Sequence, residues 1–472
     1  INDPTVDFQI TNHNYFIADT LHRASGRKPL LPHYQMVIID EAHKFLVTAR
    51  SMYGLELTEA ELPTLAQEIH AFTSDKSLGG VNVHRLAKKL EEQSTKLFQR
   101  LNANIPAVDE NADAERFPAI FDNETTRHLK SIAGIAADIV EACSDSYVQP
   151  SHKDRKNKTL WRLGMAAERV SALRAQGNLV CWLEKRMEGE TATDALCAIP
   201  KDLDARLHRD LWGQGIPIIL TSGTLSASSD FTRTKETLGL NHVPERLLSD
   251  TSMPSPFDHK NNTLLYISNS VPFPDQQDKR YLAAVADEIE RLVHASHGHA
   301  AVLFTSYNAM GQVFAMLKER NLSYPMFQMG RRDTTALEKF KANGNGLLFA
   351  SGSFWEGIDI PGDALSLLII VKLPFAAPDP ISDYEQTLYS NMDVYKARVL
   401  VPEMLIKLKQ GFGRLIRTET DTGVCAILDS RAREGAAYHD RMLVALPPCR
   451  VTSSVEAVRQ FMADRKPLTY FK

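Results

Sequence analysis

The chain of 472 residues has no apolar run long enough to enter a bilayer as a helix. Its most apolar segment, Leu365 to Val371, is interrupted by Ser366 and closed by Lys372, far short of the ~18 residues a membrane helix needs. The first residues, INDPTVDF, lack the basic start and apolar stretch of a secretory signal. Cysteine is scarce: Cys143, Cys181, Cys197, Cys425 and Cys449 stand far apart with no CxxC pair, which suits reduced thiols and argues against a metal cluster within the chain. Nor is there a basic excess. With 54 Lys+Arg against 58 Asp+Glu the net charge is -4, so any nucleic-acid contact must come from a local basic groove. A cytoplasmic protein that makes no membrane contact is expected. Also missing are a repeat of fixed period, a low-complexity tract, and any GxxxxGK[ST] phosphate loop; SGRKP near the start lacks both the spacing and the hydroxyl.

What is present is an ordinary globular composition, 43% hydrophobic and 24% charged, in a chain long enough for about three domains. Two short apolar runs, FQITNHNYFI and YQMVIIDEAH, open it. Val37, Ile38 and Ile39 form a β-branched run of the kind found in a fully buried parallel strand. Over about 57–205 the pattern turns helical: Leu86, Leu90, Phe98 and Leu101 recur at helical spacing, as do Met165, Val170, Leu173, Leu179 and Leu183. SHKDRKNKTLWR reads as a polar loop between these helices. A strand returns at Ile216 to Thr221. From 259 onward strand-like runs (TLLYIS, AAVLFTS, GLLFAS, LSLLIIVKL, GVCAILD) alternate with helical ones (Leu282 to Val293, Met310 to Glu319, Pro402 to Leu408), which implies βαβ units and a parallel sheet.

Five segments carry chemistry. VIIDEAH ends a buried strand in Asp40 and Glu41; an Asp so placed suits the Mg²⁺ shell of a nucleotide hydrolase, and the adjacent carboxylate can orient and polarise the attacking water. LTSGTLS (Leu220 to Ser226) puts small residues and hydroxyls after another strand, suited to coupling a nucleotide site to a neighbouring surface. LFTSYNAM places Thr305 and Ser306 at a strand end, where hydroxyls and backbone amides can bind nucleic-acid phosphates. GSFWEGIDIPG offers Glu356, Gly357 and Asp359 in a loop whose glycines permit close backbone approach, with Trp355 reading as a core anchor rather than a stacking platform. QGFGRLIR follows the helical run, so that Arg414 and Arg417, three apart, share a helix face and can neutralise charge on a phosphoryl group.

In this order and at these separations the segments resemble superfamily two helicases, and their wording is similar to the bacterial DinG branch of the DinG/XPD family. IIVKLPFAAPDP and ITNHNYFIAD extend the resemblance, which spans nearly the whole chain. It implies an α/β fold: a partial RecA-like lobe from 1–45 and 206–258, a helical arch-like insertion from 46–205, and a second RecA-like lobe from 259–472. By the same resemblance ATP and Mg²⁺ occupy the cleft between lobes, Asp40 positioning Mg²⁺, Glu41 activating water, and Arg414 with Arg417 stabilising charge. Gln410 and Gly413 contact the nucleotide, as does the loop of Glu356, Gly357 and Asp359, which links it to the track. His43, Ser222, Gly223 and Thr224 are coupling residues, and Thr305 and Ser306 grip single-stranded DNA, along which family members move 5′ to 3′.

The absent phosphate loop is the departure from the family. It belongs before DEAH, as do the four cysteines of the family's iron–sulfur cluster, so both are expected upstream of residue 1. The chain then reads as the larger C-terminal part of an ATP-dependent DNA helicase, a monomer on single-stranded or forked DNA, inactive as an ATPase by itself. Its first lobe is expected to expose an unpaired edge and apolar surface. Lys153, Arg155, Lys156, Lys158 and Arg162, with Trp161 interleaved, are either a solvated face or one wall of a strand passage. Two other functions stay open: a nonenzymatic DNA-binding or assembly module that has lost its motor, and an ATP-driven translocase that does not unwind.

Overall fold

The computed structural model describes residues 7–73, 81–105, 116–144, 150–188, 191–275, 277–330, 335–352, 355, 360 and 362–471. The chain divides into two compact units. The first comprises Ile1–Ser222, Lys235–Leu247 and Ala377–Ser390, and the second Gly223–Thr234, Leu248–Ala376 and Asn391–Lys472.

In the first unit β1 (Val37–Ile39) pairs in parallel with β6 (Ile218–Leu220), Ile38 opposite Ile219. One face is sealed by an aromatic column: Phe45, fully buried, lies between Phe16 of the helix His13–Ala24 and Trp212. The other face carries Ile38 and Ile219, 63% and 48% exposed, so that among the described residues this sheet has two strands and one uncovered apolar side.

Between β1 and β6 lies the insertion. Four helices, Glu61–Phe72, Val83–Ala103, Asn123–Ser144 and Pro150–Ala175, pack on an antiparallel sheet of β2 (Leu55–Thr58), β3 (Arg116–Pro118), β4 (Leu179–Glu188) and β5 (Thr191–Pro200), in the order β2-β5-β4-β3. Leu179 and Leu183 therefore belong to a hairpin strand and not to a helix. The cause is burial on both faces: Leu183 joins the helical core, while Val180 and Trp182 pack with Ile381 of the segment Ala377–Ser390. A strand covered on both sides loses its polar alternation and cannot be told from a buried helix by periodicity. Arg116 secures the same segment through Asp379 at 3.3 Å.

The second unit is a seven-stranded, wholly parallel sheet in the order β13-β7-β12-β11-β8-β10-β9, built from β7 (Thr263–Ile267), β8 (Ala300–Leu303), β9 (Met326–Gln328), β10 (Leu347–Ala350), β11 (Leu367–Ile370), β12 (Gly423–Ile427) and β13 (Arg450–Thr452). Alternate residues feed two cores. Leu265 and Ile267 point to one containing the helix Val401–Phe412, Leu264 and Tyr266 to one containing the helices Lys279–Ser296 and Tyr307–Glu319. Helices on both faces explain why β7, β8, β10, β11 and β12 are buried throughout. The fold is α/β with RecA-like parallel sheets.

Candidate functional site

The acidic motif stands at the C-terminal end of β1. Beyond Ile39 the pairing continues: Thr221 N–H donates to the Ile39 carbonyl at 2.9 Å and Ala42 N–H to the Thr221 carbonyl at 3.0 Å. The chain turns sharply at Glu41, whose φ of 48° and ψ of 44° lie in the left-handed region, a conformation that costs a non-glycine residue on the order of 1–3 kcal/mol. That turn leaves both the Asp40 and Glu41 residues exposed at the strand end. His43 sits beneath them, with Nδ1 2.8 Å from Ser222 Oγ and 3.2 Å from Glu41 Oε2. DEAH and the Thr221–Ser222 pair are thus joined by backbone and side chain within one unit. His13, which the motif reading passed over although ITNHNYFIAD contains it, donates from Nε2 to the Asp40 carbonyl at 2.8 Å and fixes the carbonyl side of the turn. A cavity of about 480 Å³ elsewhere in this unit, lined by Arg23, Tyr34, Arg209 and Asp210 among others, includes none of the motif residues.

In the second unit the helix Val401–Phe412 carries Gln410, whose Nε2 donates to Thr224 Oγ1 at 3.2 Å. Lys409 reaches the Ser226 carbonyl at 3.5 Å, and burial pushes its ammonium below the ordinary lysine range. The downstream half of SGTLS, with Gly223 at its start, is therefore held to QGFGRLIR. Gly411 permits this helix to lie against Trp355: a Cβ there would stand 2.8 Å from the indole ring. Trp355 is indeed a core anchor, 1% exposed, its Nε1 donating to the Phe304 carbonyl at 3.2 Å.

Arg414 and Arg417 do not share a helix face. The helix ends at Phe412 with Gly413 as its cap, and the next N–H groups make tighter bonds, Arg414 to Gly411 and Leu415 to Phe412. Leu415 and Ile416, 3% and 2% exposed, turn into the core, which sets the arginines on either side of a buried pair. Beyond them the Asp421 carboxylate reaches back to accept the N–H groups of Arg417 and Thr418 at 2.8 Å each, which pins the loop.

Thr305 and Ser306 follow β8 as expected, and Ser306 caps the helix Tyr307–Glu319 by accepting from Ala309 N–H at 3.3 Å. The basic segment is helical, lying in Pro150–Ala175, and its cations separate. Long aliphatic stems fill a helix interface while short-spaced heads diverge around the helix, so one wall is not formed. Lys156 is buried, and Arg162 pairs with Glu68 at 2.8 Å. Partial desolvation pushes the Glu68 carboxyl up, but hydrogen bonds from Thr159 and Arg162 outweigh it and hold the group below the usual carboxylate range. Arg155, Lys158 and Trp161, spaced by three, make the solvent-facing stripe. The side chain of Lys153, and the residues Glu356, Gly357 and Asp359, lie outside the described residues.

Could these residues hold the expected groups? Mg²⁺ keeps several waters and takes one or two carboxylates plus substrate phosphates, a demand that exposed Asp40 meets. Among the described residues no three His, Cys, Asp or Glu converge on a cage. The cysteines do not suit an iron–sulfur cluster: Cys143, Cys197 and Cys425 are buried, and burial pushes the thiols of Cys181 and Cys197 up to about 11 and about 12, away from the thiolate a cluster requires. No described helix is long and apolar enough to cross a membrane.

Comparison with known proteins accords with this arrangement. Residues 289–449 match the helicase C-terminal domain. The chain is 28% identical to the ATP-dependent DNA helicase YoaA of Escherichia coli K12, over 97% of its own length and 69% of that protein's. It is 28% identical to the ATP-dependent helicase DinG of Mycobacterium tuberculosis, over 96% of its own length and 65% of the relative's. The chain thus spans about two thirds of these curated relatives. Among solved structures, Xpd4 of S. tokodaii superposes with a TM-score of 0.55 at 15% identity, covering 94% of this chain and 81% of that one. In sequence the chain is similar to the YoaA and DinG helicases, and in fold to Xpd4.

Proposed function

We propose that the chain is the C-terminal part of an ATP-dependent DNA helicase that couples ATP hydrolysis to 5′ to 3′ movement on single-stranded DNA. In this reading Asp40 holds Mg²⁺ and Glu41 orients and polarises the attacking water. Arg414 and Arg417 neutralise charge on the transferring phosphoryl group, an arginine contribution worth about 10³ to 10⁵ in rate in comparable reactions. Gln410 and Gly413 serve the nucleotide, together with Glu356, Gly357 and Asp359. His43 and Ser222, and separately Thr224 beside Gly223, relay its state. Thr305 and Ser306 bind the DNA backbone. The phosphate loop is supplied by sequence outside residues 1–472, so this chain alone hydrolyses no appreciable ATP. The protein works as a monomer in the cytoplasm on single-stranded or forked DNA. The partial lobe and second lobe correspond to 1–45 with 206–258 and to 259–472, with the insertion at 46–205.

The observation that carries the reading is the 2.8 Å bond between His43 and Ser222, which ties the strand-end carboxylates to a hydroxyl 179 residues away. Such a tie suits a machine that transmits a nucleotide's state, and a simple DNA-binding module has no use for it. Strand displacement by the complete protein tests it. A duplex with a 5′ single-stranded tail is expected to be opened with ATP and its 3′-tailed counterpart left intact; movement along DNA without displacement would instead favour a translocase.

A further inference from the structure

The exposed ring of Phe273 stands outside every motif above. It follows β7 in the sequence SVPF and is 66% exposed, although its surroundings are built with care. The Arg431 guanidinium lies 5.7 Å from the Phe273 ring and 5.0 Å from that of Phe375. The guanidinium is itself locked: the fully buried Asp429 accepts its Nη2 at 2.7 Å and its Nε at 3.0 Å, and the same carboxylate accepts the Leu373 N–H at 2.9 Å. The loop carrying Phe273 is held as well, by Arg433, which donates to the carbonyls of Ser268 and Val271. One side of the Phe273 ring therefore rests on a fixed cation while the ring remains open to solvent.

Cations and carboxylates alternate beside it: Arg431 with Asp429, and Lys372, whose ammonium burial and the Arg431 charge push below the ordinary lysine range against the opposing pull of Asp429 and Asp275. The position follows from the sheet order: β8, β11, β12 and β7 are neighbours, so Ser306, Lys372, Arg431 and Phe273 all follow the C-terminal ends of adjacent strands. Three strand spacings separate the first from the last, about 14 Å along that edge.

We infer that Phe273, backed by Arg431, is a base-stacking platform for single-stranded DNA on the second unit, continuing the path that begins at Thr305 and Ser306. This rests on the DNA-binding reading proposed above. An aromatic ring accepts any base because every base has a π-face, and a guanidinium behind the ring adds a cation–π contribution. Cations along the same edge meet the phosphates.

The test is equilibrium binding of the complete protein to a fluorescent oligothymidylate and to an abasic oligonucleotide of equal length. Phe273→Ala is expected to weaken oligothymidylate binding about 5- to 100-fold, to leave abasic binding unchanged, and to unfold at the same temperature as the parent. Phe273→Trp is expected to restore the lost affinity. Unchanged oligothymidylate binding by Phe273→Ala, an equal loss on both oligonucleotides, or failure of a folded Phe273→Trp protein to recover would each overturn the platform. A parent protein that binds neither oligonucleotide would instead overturn the DNA-binding reading itself.

Discussion

His43 Nδ1 lies 2.8 Å from Ser222 Oγ and 3.2 Å from Glu41 Oε2, so one imidazole touches both the hydroxyl of one motif and the carboxylate of another. Removal of either partner separates the motifs without removing the Mg²⁺-positioning Asp40. His43→Ala and Ser222→Ala are each expected to retain ATP hydrolysis in the complete protein while losing most of its stimulation by single-stranded DNA. Because they share one bond, the double variant should do no more harm than the worse single one, with a coupling of about 0.5–1.5 kcal/mol. Additive losses in a steady-state ATPase titration with DNA would break the link.

Gly411 and Trp355 meet at a distance no other residue allows. The Cβ of Gly411→Ala would come within 2.8 Å of the indole, which cannot move outward because its Nε1 is bonded to the Phe304 carbonyl and its ring is 1% exposed. Overpacking of this kind costs about 1–3 kcal/mol. Urea unfolding followed by tryptophan fluorescence should show a lower midpoint for Gly411→Ala with an unchanged slope; an equal midpoint would mean that the helix Val401–Phe412 shifts freely.

What was legible beforehand follows from where local pattern and tertiary context agree. The strands after 259 declare themselves because a parallel strand covered on both sides leaves an unbroken apolar run, whereas Val37–Ile39 has the same run but is not the fully buried strand it suggests, since Ile38 lies 63% exposed on an uncovered face. The same property misled at Leu179 and Leu183, where β4 is also covered on both faces. Arg414 and Arg417 looked helical by spacing, but Gly413 ends the helix and burial of Leu415 and Ile416 sets the path beyond it. Contacts between distant residues, such as Gln410 with Thr224 or Arg431 with Phe273, leave no local trace at all.

The basic helix separates two roles that composition merged. Arg155 and Lys158 face solvent, whereas Arg162 is spent on Glu68 and Lys156 is buried. Arg155→Ser with Lys158→Ser is therefore expected to flatten the dependence of log DNA affinity on log salt by about 1.4, as for two lost phosphate contacts on a single strand, and to leave stability unchanged. Arg162→Ala should instead destabilise the insertion by removing the guanidinium bonded to Glu68. Equal salt slopes for the parent and the double serine variant would assign Arg155 and Lys158 to a solvated surface.

The central claim, that Glu41 is the group that activates water for ATP hydrolysis, meets its most direct test in the single-turnover hydrolysis rate of the complete protein with saturating single-stranded DNA. Glu41→Gln is expected to slow that rate by about 100-fold or more while binding ATP as tightly as the parent. Hydrolysis within a few-fold of the parent rate would contradict it.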